Sequence, residues 1–233
     1  MTQPDILSEH AIHVWRFSLI AAPEETAALN LLLSDGEHVR LDRLPSGAKR
    51  DRRVVAWGHL RSILARYVDC APEKIQLARE GFGRPEIVSP AMTGVRFSLS
   101  HSGHLGLVGI SRNAVGVDIE RVNAAVNAER LAARFFTPYE TEQLCALPDE
   151  ERAQMFFRLW VLKEAYLKAQ GSQVPAGLSR CEFELGSDDP RLRKSDFQSS
   201  ASQCTLFEIP VAKGYAAALA GLQEKANISV FDL

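Results

Sequence analysis

Gly116-Val117-Asp118-Ile119-Glu120 and, further along, Trp160-Val161-Leu162-Lys163-Glu164-Ala165-Tyr166-Leu167-Lys168 are the stretches that decide how this chain is read. The first alternates like a β-strand, with Val117 and Ile119 on one face and Asp118 and Glu120 on the other. Two adjacent carboxylates repel, at a cost that falls when a cation or proton sits between them. Taken alone, the pattern also fits an edge strand with a solvated acidic face. The second stretch has the helical period. Each helical residue advances about 100°, which makes Glu164 and Lys168 i, i+4 neighbours. Counted from Phe156, Glu164 falls between Trp160 and Phe157, and Lys168 between Phe157 and Val161. Both lie inside the apolar sector, whereas Arg158 and Gln154 lie on the polar side. An ion among aromatics needs a partner or a metal. A shielded Glu164–Lys168 salt bridge meets that need, and so does a charged site.

Outward from these stretches, 233 residues are enough to bury a substantial core, and 46% hydrophobic with 24% charged residues is an ordinary globular composition. A net charge of −2 argues against bulk electrostatic binding to nucleic acid or anionic membrane, so any basic site is local. The start, Met1-Thr2-Gln3-Pro4-Asp5, has no basic leader pattern, and no run approaches the roughly 20 apolar residues of a membrane span. Cys70, Cys145, Cys181 and Cys204 are widely spaced, without a zinc or disulfide pattern. Reduced thiols in a cytoplasmic protein are the expectation.

Ile12 to Ile20 reads as a strand, and Pro23 to Leu33 as a helix with Glu24 and Glu25 in its first turn. A basic interval follows, with Arg40, Arg43, Lys49, Arg50, Arg52 and Arg53, leading into a helix from Asp51 to Tyr67. It is either a solvated face or a grip for a polyanion, since guanidinium forks match phosphate oxygens. Ile75 to Leu77 is a short strand candidate, and Gly81-Phe82-Gly83-Arg84-Pro85 is a turn. Val95 to Ser100 and Leu105 to Ser111 read as a hairpin with Ser100-His101-Ser102-Gly103-His104 at its apex, more polar than turn chemistry requires. A helix from Ala124 to Phe136 precedes Thr137-Pro138-Tyr139-Glu140, a capping box that accounts for Glu140 structurally. The helix from Glu150 to Gln170 stops at Gly171. Strands are expected at Cys181 to Leu185, Thr205 to Ile209, Tyr215 to Leu219 and Ile228 to Phe231, with Ser195 to Gln203 as a mobile loop. No clear internal repeat is visible, and the order of elements fits an α+β fold.

Asp118, Glu120 and Glu164 are hard oxygen ligands, suited to Mg²⁺ or Mn²⁺ with substrate phosphate completing the shell. Lys168, the basic interval and the Ser100-His101 segment would flank such a metal with positive charge. There is no Walker A loop and no G-x-G-x-x-G. The residues by themselves lead to a metal-dependent phosphoryl-type transferase or hydrolase.

The two opening stretches together resemble the paired signature of the 4′-phosphopantetheinyl transferases, G-[IV]-D-x-E followed by W-x-x-K-E-A-x-x-K. Phe97-Ser98-Leu99-Ser100-His101-Ser102-Gly103 resembles that family's third element, and Gly83-Arg84-Pro85 its G-K/R-P turn. The resemblance spans roughly residues 30 to 171, and the length is similar to that of the larger, monomeric type that activates peptide and polyketide synthetases. It implies a pseudo-twofold pair of α+β halves, set here at 1–111 and 112–233, with coenzyme A in the cleft between them. It also implies Mg²⁺ on Asp118, Glu120 and Glu164, bound to the coenzyme A pyrophosphate. A serine of an apo acyl or peptidyl carrier protein would attack the β-phosphorus, and 3′,5′-ADP would leave. Lys168 would neutralise the pyrophosphate and act in catalysis. Ser100 and His101, with Arg40, Arg43 and Arg53 from the basic interval, would lie near the donor's phosphates, and Arg84 near its adenosine. Glu140 matches a glutamate considered a base, or a holder of metal-bound water, in the family. The interval departs from the family pattern in having arginines where relatives often show lysines. Competing expectations are a Mg²⁺-dependent hydrolase of coenzyme A or another nucleotide pyrophosphate, and a non-catalytic coenzyme A or carrier-binding module.

Overall fold

Eight residues of alternating pattern, Ala11–Ser18, form β1, whose even-numbered Ile12 and Val14 face one core while Trp15 and Phe17 face another. The computed structural model describes residues 7–79, 85–172, 174–186, 189–197 and 204–233. Three helices follow β1: α1 (Pro23–Asn30), α2 (Asp35–Leu41) and α3 (Ala48–Leu64). A small antiparallel pair, β2 (Gln76–Arg79) and β3 (Pro85–Ser89), precedes the hairpin of β4 (Arg96–Ser102) and β5 (Leu105–Ser111).

The sequence of elements then starts again. β6 (Val115–Arg121) leads to α4 (Ala128–Phe135), α5 (Pro138–Cys145) and α6 (Asp149–Gln170). Another small pair follows, β7 (Cys181–Glu184) with β8 (Arg191–Ser195), and then β9 (Thr205–Glu208) and β10 (Tyr215–Gly221). The wiring matches as well as the order. In each half the first strand pairs antiparallel with the last, and the last pairs with the one before it, giving β1-β5-β4 and β6-β10-β9. β11 (Asn227–Asp232) is the exception, because it returns to the first sheet and lies parallel to β1.

The layers run helix, sheet, sheet, helix. Leu29, Val55 and Ile63 cover the Trp15 and Val108 face of the first sheet, while Phe156, Leu162 and Tyr166 join Ala218 and Ala220 of the second. Between the sheets lies a third cluster, with Ile12, Val14 and Leu107 facing Val117, Ile119 and Leu219. The strand reading of Gly116 to Glu120 holds: Val117 and Ile119 are in the inter-sheet core, and Asp118 turns toward α6.

The repeat reaches into buried chemistry. Ser34 and Glu37 open α2, where the Glu37 carboxylate accepts from the Ser34 amide and hydroxyl and from Arg61 Nε at 2.8 Å. Arg61 also donates to the carbonyls of Pro72 and Ile75. In the second half Glu140 accepts from the Thr137 amide and hydroxyl and pairs with Lys163 Nζ at 2.7 Å, while Lys163 donates to the carbonyls of Leu178 and Cys181. Each network ties a capped short helix to the long helix and to the 3₁₀ turn beyond it, Pro72–Lys74 or Leu178–Arg180.

Several boundaries differ from expectation. α3 begins at Ala48 rather than Asp51 and so takes in Lys49 and Arg50. α4 begins only at Ala128, because the Asn127 side chain accepts from the Arg130 amide and caps it there. Ser100, His101 and Ser102 are strand residues, not a hairpin apex; Ser102 pairs with Leu105, and Gly103-His104 makes the turn with Gly103 at φ 58°. The Gly81 to Arg84 turn, and most of the loop expected from Ser195 to Gln203, lie outside the described residues.

Candidate active site at the seam between the halves

β6 and α6 set the acidic side of the site through an unusually close approach. A Cβ placed on Gly116 would lie 2.0 Å from the Ala165 carbonyl oxygen and 2.9 Å from Lys168 Cβ, so the strand lies directly against the helix backbone. That approach brings Lys168 to Asp118. Lys168 Nζ is 2.5 Å from Asp118 Oδ1 and 3.7 Å from Glu164 Oε2, and it also donates to the Val117 carbonyl at 3.2 Å. Asp118 is buried, and Glu164 and Glu120 are largely so. Burial pushes the Glu164 carboxyl up to about 7, with the Asp118 and Glu120 charges adding to the shift against Lys168. Glu120 is raised too, mainly by burial.

β4 supplies the opposite wall from the other half. Ser100 Oγ donates to Asp118 Oδ1 at 2.7 Å, and Ser102 Oγ donates to Glu120 Oε2 at 2.7 Å. Burial first, then the Arg53, Lys168 and Arg52 charges, hold His101 below the ordinary histidine range. His101 therefore stands in the field of Arg53 and Arg52 of α3 and, across the seam, of Lys168. The Arg53 guanidinium also lies 5.4 Å from the Trp57 ring centroid, with Arg40 of α2 at 5.3 Å from the same ring. The carboxylates of one half thus meet serine hydroxyls of the other beside Lys168, with His101 and the α3 arginines adjoining.

The structure therefore brings Asp118, Glu120, Glu164, Lys168, Ser100 and His101 together, with Arg53 adjoining and Arg40 linked through Trp57. Arg43 is exposed, and among the described residues no hydrogen bond, ion pair or ring contact ties it to this group. Arg84 lies outside the described residues. Glu140 is placed elsewhere: its oxygens are taken by Thr137, Lys163 and the Phe183 amide, and its side chain is fully buried. Ser102, Arg52 and Trp57 were missed as site residues. Trp57 had a legible signal, since it stands i+4 from Arg53 on a helix, where a guanidinium and an aromatic ring meet.

Among the described residues, no three His, Cys, Asp or Glu side chains are already arranged as a metal cage. Lys168 Nζ stands where Asp118 and Glu164 converge. The donor set nevertheless fits a hard divalent cation: three carboxylates, one with a buried oxygen, Asp118 Oδ2, that has no hydrogen-bond partner.

Two α+β halves that share one strand order, β11 apart, thus meet along a seam where three carboxylates gather with Lys168 and His101. The family model described as the 4′-phosphopantetheinyl transferase superfamily matches residues 114–220, a span covering β6, α6 and β10. The chain is 36% identical over 181 residues to the 4′-phosphopantetheinyl transferase HetI of Nostoc sp., covering 77% of this chain and 76% of the relative. It is 37% identical over 150 residues to a putative 4′-phosphopantetheinyl transferase of Synechocystis sp., covering 64% and 61%. Similarity to Sfp of Bacillus subtilis is 27% over 156 residues, covering 67% of each chain. The chain belongs to the 4′-phosphopantetheinyl transferase superfamily, as a transferase of the HetI- and Sfp-like type.

Proposed function

We propose that the protein transfers the 4′-phosphopantetheine arm of coenzyme A to a serine of an apo acyl or peptidyl carrier protein, releasing 3′,5′-ADP. The observation that carries this reading is the seam itself, where Asp118, Glu120, Glu164 and Lys168 of one half meet Ser100 and Ser102 of the other, with Lys168 and Arg53 both acting on His101. Asp118, Glu120 and Glu164 would hold Mg²⁺, which when bound supplies charge neutralisation to a pyrophosphate. Lys168, already between the carboxylates, would place a positive charge beside the transferring phosphoryl group. Arg53 and Arg40, braced on Trp57, and His101 would bind the remaining phosphate charge of the donor. His101 is shifted toward its neutral form, so it acts as a hydrogen-bonding group rather than a fixed cation. Arg84 is kept as a contact to the adenosine end, and Arg43 as a peripheral donor contact.

Glu140 enters this reading as a structural residue rather than as the base. Its capping and pairing are reproduced by Glu37 in the half that lacks the acidic strand, so the arrangement serves the architecture. The test is incubation with coenzyme A, Mg²⁺ and an apo carrier, read by mass. A phosphopantetheine mass gain on the carrier is the expected result. Loss of coenzyme A without any gain on the carrier identifies a hydrolase, and no change in either identifies a binding module. Asp118→Ala is expected to abolish transfer and weaken Mg²⁺ binding; normal transfer by that variant would sink the metal assignment.

A further inference from the structure

β4 and β6 are edge strands of different sheets, and they are joined by side chains where a backbone ladder would otherwise run. Three serines at the two-residue period of β4 make that join. Ser98 Oγ accepts from the Val117 amide at 3.1 Å, Ser100 Oγ donates to Asp118, and Ser102 Oγ donates to Glu120 while accepting from the Arg121 amide at 3.1 Å. The ladder divides by chemistry. Ser98 is buried and accepts from the backbone of β6 rather than from a carboxylate, so it stitches the halves together. Ser100 and Ser102 each hold a carboxylate. Ser102 is fixed at both ends, because the Arg121 amide takes the hydroxyl oxygen as acceptor and Glu120 takes its proton. A short hydroxyl anchored this way restricts the directions open to the Glu120 carboxylate.

We propose that Ser102, a residue of the first half, is a positioning residue that holds Glu120 of the second half in the orientation needed to bind a divalent cation. The inference rests on the metal reading above. It makes the strength of the metal site depend on the register between the two halves, set by a hydroxyl that is not itself a ligand. Ser100 performs the corresponding task for Asp118, while also accepting from Lys168 at 3.3 Å.

Calorimetric titration of the whole chain with Mg²⁺ alone, without coenzyme A or carrier, tests this. Ser102→Ala is expected to weaken Mg²⁺ binding about tenfold, the effect of losing one hydrogen bond to a charged group. Ser102→Thr keeps the hydroxyl and should bind within about twofold of the parent, since an affinity change that small corresponds to well under one hydrogen bond. Ser98→Ala leaves the buried Val117 amide unpaired; it should lower the midpoint of thermal unfolding in chelator while leaving Mg²⁺ affinity as in the parent. If Ser102→Ala binds Mg²⁺ like the parent, or if Ser98→Ala weakens binding as much as Ser102→Ala does, positioning is overturned and the serines only join the halves. If the parent itself shows no Mg²⁺ binding, the metal reading falls and this inference with it.

Discussion

Glu140, expected as a base from the family resemblance, has a complete set of structural contacts. It lies fully buried with Lys163, and both of its oxygens are committed. A buried pair of this kind contributes little relative to an apolar pair, but removing one partner leaves the other charge stranded, at a cost of about 3–5 kcal/mol. Glu140→Ala is therefore expected to destabilise the fold by about that amount in urea unfolding. Glu140→Gln, which can still cap α5, should lose less. The turnover of the folded Gln variant should stay near that of the parent. A collapse in turnover with stability intact would instead make Glu140 the base. The capping half of this story is legible in Thr137-Pro138-Tyr139-Glu140, whereas the Lys163 half is not. Lys163 sits in sequence beside the ligand candidate Glu164, and only the turn of α6 sends the two to opposite tasks.

Elements differ in how much of them the sequence shows. β6, β10 and α6 have strong periods and firm ends, and Gly171 closes α6 at φ 69° as its position suggests. α2 was hidden, although Ser34-Asp35-Gly36-Glu37 has the spacing of a capping box. Gly36 weakens the local helix signal, and what holds the helix is the buried Glu37–Arg61 pair, made with a residue far along the chain. The apex misreading has a similar cause: Ser100 and Ser102 look like turn residues until β6 is placed beside them as a partner for their hydroxyls. Gly116 is the element-level requirement that the motif conceals. Gly116→Ala forces β6 and α6 apart against a backbone carbonyl, which cannot rotate away as a side chain could. Overpacking of this kind costs about 1–3 kcal/mol. Because Lys168 and Asp118 separate with it, transfer is expected to fall further than the loss of stability explains. An Ala variant with parent activity and stability would show that the helix can shift freely.

At the scale of the whole molecule, the two halves are copies in wiring whose chemistry has diverged, which is why no repeat shows in the sequence. The Arg61 network answers the Lys163 network with a different cation, and Ser34 answers Thr137. Only one half has an acidic first strand; by register the places of Asp118 and Glu120 are taken in β1 by Trp15 and Phe17, which serve the helix-facing core. β11 breaks the copy by crossing back to β1. There Phe231 stacks on Trp15 at 4.7 Å between ring centroids, Arg16 forms a paired hydrogen bond with Asp232, and Trp15 Nε1 donates to the Tyr67 hydroxyl. The last strand of the second half therefore completes the core of the first. Phe231→Ala removes the ring from this contact. It is expected to cost about 2 kcal/mol, less than a fully buried phenylalanine because Phe231 is only half-buried. Trp15 is 2% exposed in the parent, so its emission should shift red in the variant as water reaches it. If β11 is a true part of the first half, the variant should still unfold in one transition at a lower denaturant concentration. An early loss of the Trp15 signal, separate from the main transition, would show instead that β11 is an independent flap over a half that stands alone.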